Sequence, residues 1–96
     1  MKNCLSVEEI KESLSKLASG WIYNGECIER EFVFEDFAQA FGFMTSVAAI
    51  AEKLNHHPNW SNVYNKVFIS LTTHDAGGIT ELDFSFAKGV DQIATS

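Results

Sequence analysis

The dipeptide Asn24-Gly25 limits the possible folds of this chain more than any other feature, because it separates two short apolar segments. Asn-Gly is the strongest short signal for a β-hairpin, since a type I′ turn requires positive φ at both of its central residues. Residues 21–23 and 27–34 are therefore predicted to be paired strands. The second strand carries its apolar residues on one side, although Arg30 falls on that side as well.

A second hairpin is predicted after Pro58, the only proline of the chain. The segment that follows is rich in Trp, Val, Tyr, Phe, Ile and Thr, which favour strands. It is too long for one typical strand. We predict strands over residues 59–64 and 67–72, and strands joined by hairpins form an antiparallel sheet.

Two helices are marked by capping boxes. Ser6 and Glu9 have the spacing of an N-cap residue and its N3 partner, and Thr80 and Asp83 repeat that spacing. Gly20 is predicted to end the first helix. The predicted apolar faces are Val7, Ile10, Leu14 and Leu17 in the first helix, and Leu82, Phe86, Val90 and Ile93 in the last.

The central helix is predicted to begin at Asp36, with Gln39 at the box position. Its apolar residues recur at helical spacing: Phe37, Ala40, Phe41, Met44, Val47, Ala48, Ala51 and Leu54. Phe43 and Ile50 lie off this stripe. They predict that the helix is covered on a second side, for instance by another subunit.

These elements predict a single α+β domain over residues 1–96, in the order α-β-β-α-β-β-α. A four-stranded antiparallel sheet would carry three helices packed on one face. The other face would be left for a partner or for solvent. A chain this short leaves much apolar surface unburied, which favours a homo-oligomer, either a dimer or a tetramer.

Charge and composition exclude several classes of function. The net charge is −6 and the seven Lys and Arg residues are scattered, which disfavours direct binding to nucleic acid. Cys4 and Cys27 belong to no CxxC pair, so neither a disulfide framework nor a zinc ribbon is indicated. No signal segment and no membrane-spanning run is visible, and we expect a cytoplasmic protein.

All three histidines are predicted to lie at the ends of elements. His56 and His57 close the central helix, and His74 follows the fourth strand. Three interpretations are open: surface residues, a metal site, or acid–base groups. A metal site needs three or four converging ligands, and adjacent residues rarely chelate one tetrahedral ion.

Acid–base chemistry suits these residues because a histidine side chain ordinarily titrates at about pH 6.5 and can take or give a proton. Two imidazoles on either side of a small heterocycle could eliminate water from it. Asp75 or Asp83 could orient one of the rings, as a carboxylate behind a histidine does elsewhere. Asp83 is also the N3 residue of the last helix, which by itself would explain its presence.

Three motifs together resemble the pterin-4a-carbinolamine dehydratases. They are ExxxHHPxW from Glu52, YNKVxIxLxTHxxxG from Tyr64, and TxxDxxxA from Thr80. The resemblance extends from about Trp21 to Ala94. It implies the same fold and the dehydration of 4a-hydroxytetrahydropterin to quinonoid dihydropterin. That reaction recycles the cofactor of aromatic amino acid hydroxylases, and the resemblance implies no metal or organic cofactor.

The resemblance also implies roles for individual residues. His56 and His74 take the two acid–base positions, His57 takes the histidine that supports substrate binding, and Asp83 takes the carboxylate near the site. The implied substrate-contacting segments are Asn55, His56, His57 and Pro58, and Thr72, Thr73, His74 and Asp75. Animal members have Asp at the position of Asn55. Which histidine is the acid stays open.

A protein-interaction module is the competing interpretation. Animal relatives also serve as dimerisation cofactors of a homeodomain transcription factor, through a helix-packing surface. By that resemblance the functional part would be the surface of the central helix, including Phe43 and Met44. The complete histidine set favours the enzyme, because a scaffold has no physical need for it.

Overall fold

The computed structural model describes residues 4–95. The helices are α1 (Val7–Leu14), α2 (Phe37–Leu54) and α3 (Glu81–Thr95); the strands are β1 (Ile22–Tyr23), β2 (Ile28–Val33), β3 (Asn59–Val63) and β4 (Lys66–Leu71). A short 3₁₀ turn, His74–Ala76, lies between β4 and α3. The predicted element order and α+β class are confirmed.

The four strands form one antiparallel sheet in the order β1-β2-β4-β3. The two long strands β2 and β4 pair along their whole length, from Ile28 opposite Leu71 to Val33 opposite Lys66. Their inward side chains share one core with residues of all three helices. No helix within residues 4–95 is both long and apolar enough to cross a membrane.

The first hairpin is present, but its turn lies one residue later than predicted. Tyr23 pairs with Ile28, and the Asn24 N–H donates to the Cys27 carbonyl at 3.0 Å, so Gly25 and Glu26 form the tip. Only Gly25 has positive φ there, at 99°. The Asn24 side chain instead accepts hydrogen bonds from the backbone N–H groups of Glu26 and Cys27. Asn24 therefore holds the turn with its side chain, as Asn commonly does.

The predicted start of α1 is confirmed, whereas its predicted end at Gly20 is wrong. Ser6 Oγ accepts from the Glu9 N–H at 3.1 Å, and Glu9 returns the bond to the Ser6 N–H at 2.8 Å. The helix ends at Leu14, where the Ser15 hydroxyl donates to the Glu12 carbonyl. Such local side-chain bonds compete with helix continuation.

The buried face of α2 differs from the predicted stripe. Phe43 is only 6% exposed, and its ring lies 4.9 Å from that of Phe32 between centroids. Phe37 and Phe41, predicted to be buried, are 51% and 56% exposed. Because α2 carries apolar residues on nearly every side, periodicity alone did not identify its inner face. The predicted cap is confirmed, since Asp36 Oδ1 accepts from the Gln39 N–H at 2.9 Å.

Candidate active site

His56 and His57 are placed by the way α2 ends. Asn55 caps the helix in the left-handed conformation, with φ 50° and ψ 46°. The His56 N–H donates back to the Ala51 carbonyl at 3.0 Å, so this residue stays close to the last turn. Pro58 restricts His57 to extended backbone and directs the chain into β3. The two adjacent histidines therefore stand at the junction of a helix and a strand.

His74 is placed by a closed loop after β4. Thr73 and Gly78 form an isolated antiparallel bridge, which encloses the 3₁₀ turn His74–Ala76. The N-terminal segment holds this loop from outside. There the Leu5 N–H donates to the Ile79 carbonyl at 2.8 Å, and the Cys4 thiol donates to the Ala76 carbonyl at 2.7 Å.

All three histidines line one cleft of about 250 Å³. Its lining residues are Asn55, His56, His57, Thr72, Thr73, His74, Asp75 and Leu82. The structure thus brings together every residue of the two predicted substrate-contacting segments except Pro58. Leu82 was expected only in the apolar face of α3. Its position beside the capping residue Asp83, at the start of the helix, is the one sequence signal that could have placed it at the cleft.

His56 is oriented by a buried carboxylate. Its Nε2 lies 2.6 Å from Oδ1 of Asp83, and the two side chains are 10% and 0% exposed. Of the two candidates left open by the sequence, Asp83 and not Asp75 therefore stands behind His56. Asp83 has no exposed surface, so it reaches a bound molecule only through that imidazole.

Asp83 also performs the capping role that its spacing from Thr80 predicted. Its Oδ2 accepts from the Thr80 N–H at 2.9 Å and from the Thr73 hydroxyl at 2.8 Å. The same carboxylate therefore starts α3 and holds a histidine of the cleft. The capping interpretation of Asp83 is confirmed, and its contact with His56 gives the carboxylate the position that the orienting interpretation requires.

His57 has a more open environment. Its Nε2 lies 2.9 Å from Oε2 of Glu52, one turn back on α2, with the side chains 60% and 80% exposed. An ion pair this exposed contributes little to stability. His74 and Asp75 are exposed as well. His57 and His74 thus form the open part of the cleft, and His56 its inner wall.

A larger cavity of about 570 Å³ adjoins the cleft and shares Thr72 and His74 with it. It contains one of the three imidazoles, whereas the smaller cleft contains all of them. We place the candidate site in the smaller cleft, because three imidazoles converge there and acid–base chemistry depends on such side chains and not on cavity volume. Within residues 4–95, no three His, Cys, Asp or Glu side chains are grouped to hold a metal ion.

Comparison with known proteins assigns the family. The family model described as pterin 4 alpha carbinolamine dehydratase matches residues 3–93, and the chain belongs to this family. A relative from Prochlorococcus marinus (strain MIT 9312) is 56% identical over 90% of this chain and 88% of its own length. A relative from Christiangramia forsetii is 49% identical over 100% of this chain and 98% of its own length. Both are provisionally named pterin-4-alpha-carbinolamine dehydratase, a hydro-lyase.

Two solved structures share the fold. A protein of Brucella melitensis, described as a transcriptional coactivator/pterin dehydratase, superposes with a TM-score of 0.91 at 48% identity. The match covers 96% of this chain and 99% of that one. A second protein, described as a pterin dehydratase-like RuBisCO assembly factor of the alpha-carboxysome, has a TM-score of 0.68 at 30% identity. That match covers 80% of this chain and 92% of the other.

Proposed function

We propose that this protein dehydrates 4a-hydroxytetrahydropterin to quinonoid dihydropterin and water. The observation that carries the proposal is the convergence of His56, His57 and His74, from two separate loops, on one cleft. Family membership supplies the substrate class. We further propose, as the family resemblance implies, that the product returns to the pterin cycle of aromatic amino acid hydroxylases and that the reaction uses no metal or organic cofactor.

The proposed reaction needs two proton transfers on one small heterocycle. One imidazole removes the proton from N5, and the electron pair of that N–H bond becomes the second bond between N5 and C4a. The other imidazole protonates the 4a hydroxyl as the C4a–O bond breaks, so the oxygen leaves as water. Each positioned transfer commonly accelerates a reaction by about 10²–10⁴-fold.

The residues around the cleft divide this work. His56 and His74 carry the proton transfers, and Asp83 supports His56 because a carboxylate behind an imidazole stabilises its protonated form. His57, paired with Glu52 at the mouth, binds substrate. Asn55, Thr72, Thr73 and Asp75 complete the wall, and Pro58 contributes by holding the backbone of His57.

Stopped-flow ultraviolet absorbance of 4a-hydroxytetrahydropterin decay tests the proposal. We expect the protein to accelerate the decay, and we expect His56→Ala and His74→Ala each to lose about 100-fold or more. Glu12→Ala, on the exposed face of α1, is the control and keeps full turnover. A His56→Ala, His74→Ala double variant with wild-type turnover would refute the proposed chemistry.

A second proposal concerns association through α2. Phe37 and Phe41 stand side by side on its exposed face, with ring centroids 5.9 Å apart. Two exposed aromatic rings on a chain this small favour packing against a second copy or another protein. Phe43, expected on this surface from the sequence, is buried instead, and Met44 is half-buried.

Light scattering after size exclusion tests the association. We expect a homo-oligomer whose mass falls in Phe41→Ser and stays unchanged in Val7→Ser, an exposed apolar residue of α1. A partner captured through α2 by a variant without the three histidines, together with absent turnover, would favour the interaction module over the enzyme. An unchanged mass in Phe41→Ser would remove α2 from the interface.

A further inference from the structure

We infer that Thr73 and Thr80 are positioning residues that keep a proton on Nε2 of His56, so that His56 exchanges protons with the substrate only through Nδ1. The inference rests on the proposed dehydratase for its catalytic meaning. Its physical basis is a chain of hydrogen bonds in which every donor can be assigned.

The assignment begins at Asp83. The Thr73 hydroxyl donates to Asp83 Oδ2 at 2.8 Å. A threonine hydroxyl has one proton to donate, and this bond uses it. The 2.8 Å contact between the hydroxyl oxygens of Thr73 and Thr80 must therefore be donated by Thr80.

The chain continues to the backbone. Thr80 Oγ1, having donated to Thr73, accepts from the Leu82 N–H at 3.3 Å. Each hydroxyl thus donates once and accepts once, and both side chains are buried. Neither hydroxyl is left to turn toward the cleft. The Thr73 side chain is therefore part of the support behind His56, although the sequence suggested a substrate contact.

The direction of this chain determines the protonation of His56. The other partners of Asp83, the Thr73 hydroxyl and the Thr80 N–H, are both donors, and the carboxylate lies in the first turn of α3, where negative charge is stabilised. An ionised carboxylate only accepts hydrogen bonds. The 2.6 Å contact with Asp83 Oδ1 is therefore donated by Nε2 of His56.

The chemical consequence concerns the other ring nitrogen. In a neutral imidazole with its proton on Nε2, the lone pair is on Nδ1. When His56 acts as the base, the proton taken from N5 binds at Nδ1; when it acts as the acid, it gives up the Nδ1 proton of its imidazolium. In both cases the ring keeps its Nε2 proton against Asp83. No proton needs to pass to the carboxylate, as in other histidine–carboxylate pairs.

Long-range ¹H–¹⁵N correlation spectra of the histidine rings test the inference without substrate. At a pH where the rings are neutral, we expect His56 to carry its proton on Nε2, and its signals are identified by their absence in His56→Ala. Asp83→Asn is the strongest variant. The two donors at Oδ2 retain the amide oxygen, the amide NH₂ then faces Nε2, and the proton moves to Nδ1.

Thr73→Val is the finer variant, because it removes one donor and keeps the shape of the side chain. We expect a mixture of the two His56 tautomers and a fall in kcat of about tenfold, the effect of losing one hydrogen bond to a charged group, with KM little changed. Thr73→Ser restores both. Thr45→Val, the same exchange at an exposed position of α2, should change neither the His56 tautomer nor kcat.

Three results would overturn these statements separately. A neutral His56 with its proton on Nδ1 in the unaltered protein would refute the inference even if every variant failed to fold. An unchanged spectrum and kcat in Thr73→Val would refute the role of the threonines. Absent turnover in the unaltered protein, with the expected spectrum, would refute the dehydratase and with it the catalytic meaning of Nδ1.

Discussion

The indole N–H of Trp21 donates to the carboxylate of Asp91, 70 residues further along the chain, at 2.9 and 3.0 Å from its two oxygens. The same carboxylate accepts from the Ala18 N–H and pairs with Arg30 at 2.9 Å. The Arg30 guanidinium also lies 4.3 Å from the centre of the Phe32 ring. This cluster fastens α3 to the segment before β1, and it explains why an arginine occupies the apolar side of β2.

Asp91→Ala is expected to destabilise the protein by about 2–3 kcal/mol, because it leaves a buried indole N–H and a partly buried guanidinium without their acceptor. This value lies at or below the lower end of the about 3–5 kcal/mol that breaking a buried ion pair usually costs, because the Arg30 side chain is 22% exposed. Urea denaturation measures the change. Glu12→Ala should cost under about 0.5 kcal/mol as an exposed control. Equal midpoints for the two variants would show that the cluster contributes nothing.

Substitutions of the three histidines should change different steady-state kinetic parameters. His57 is exposed, and its ion-pair partner within residues 4–95 is Glu52, so His57→Ala should mainly raise KM. His56→Ala and His74→Ala should mainly lower kcat, because in the proposed reaction they remove groups that act in the transition state. Initial rates over a range of pterin concentrations resolve the two parameters. A kcat loss in His57→Ala as large as that in His56→Ala would contradict this division.

Phe43→Ala should cost about 3–5 kcal/mol of unfolding free energy, since it removes a buried ring that contacts Phe32 and Phe34. Phe41→Ala deletes the same side chain from the exposed face of α2 and should cost about 1 kcal/mol or less in the monomer. Denaturant unfolding at low protein concentration compares the pair. If Phe41→Ala were the more destabilising variant, the apolar stripe predicted from the sequence, which includes Phe41 and omits Phe43, would be the buried face of α2.

Substitutions of Asn55 can distinguish the contribution of its left-handed backbone conformation from that of its side-chain amide. Its φ of 50° is costly for most residues, so Asn55→Ala should destabilise the protein by about 1 kcal/mol. Asn55→Gly should be neutral or slightly stabilising. Thermal unfolding gives the stabilities. If turnover falls in Asn55→Gly although the protein is stable, the amide contacts substrate; retained turnover would restrict Asn55 to shaping the end of α2.

The elements of the fold could be predicted where a local interaction defines them. The capping boxes predicted at Ser6 and Thr80 involve side chains three residues apart, and the box at Ser6 forms completely. At Thr80 half of the box forms: Asp83 accepts from the Thr80 N–H, but the Thr80 hydroxyl accepts from the Leu82 N–H and not from that of Asp83. The inner face of α2 could not be predicted in this way. Phe43 was excluded from the stripe although it packs on β2, because the choice between Phe41 and Phe43 depends on contacts with a distant strand.

The candidate site shows the same division. The sequence indicated that His56, His57 and His74 lie at the ends of elements, and such positions favour sites. The residue pattern left both Asp75 and Asp83 open as the orienting carboxylate, and only the family resemblance favoured Asp83. Only the packing of α3 against the end of α2 brings Asp83, 27 residues away in sequence, to His56. The sequence indicated Thr80 as a helix cap and Thr73 as a substrate contact, but it could not show that their hydroxyls bond to each other behind Asp83, because that arrangement depends on the same packing.

Because Asp83 both caps α3 and contacts His56, the proposed proton transfer depends on the local order of the first turn of α3. Any opening that detaches the first turn of this helix also releases the His56 ring, whereas fraying at Thr95 leaves the ring in place. Gradual loss of activity in mild denaturant would therefore follow the unravelling of one specific helix terminus. Under the proposed mechanism, a substitution that loosens this terminus would also change the acid–base behaviour of His56, because Asp83 belongs to both.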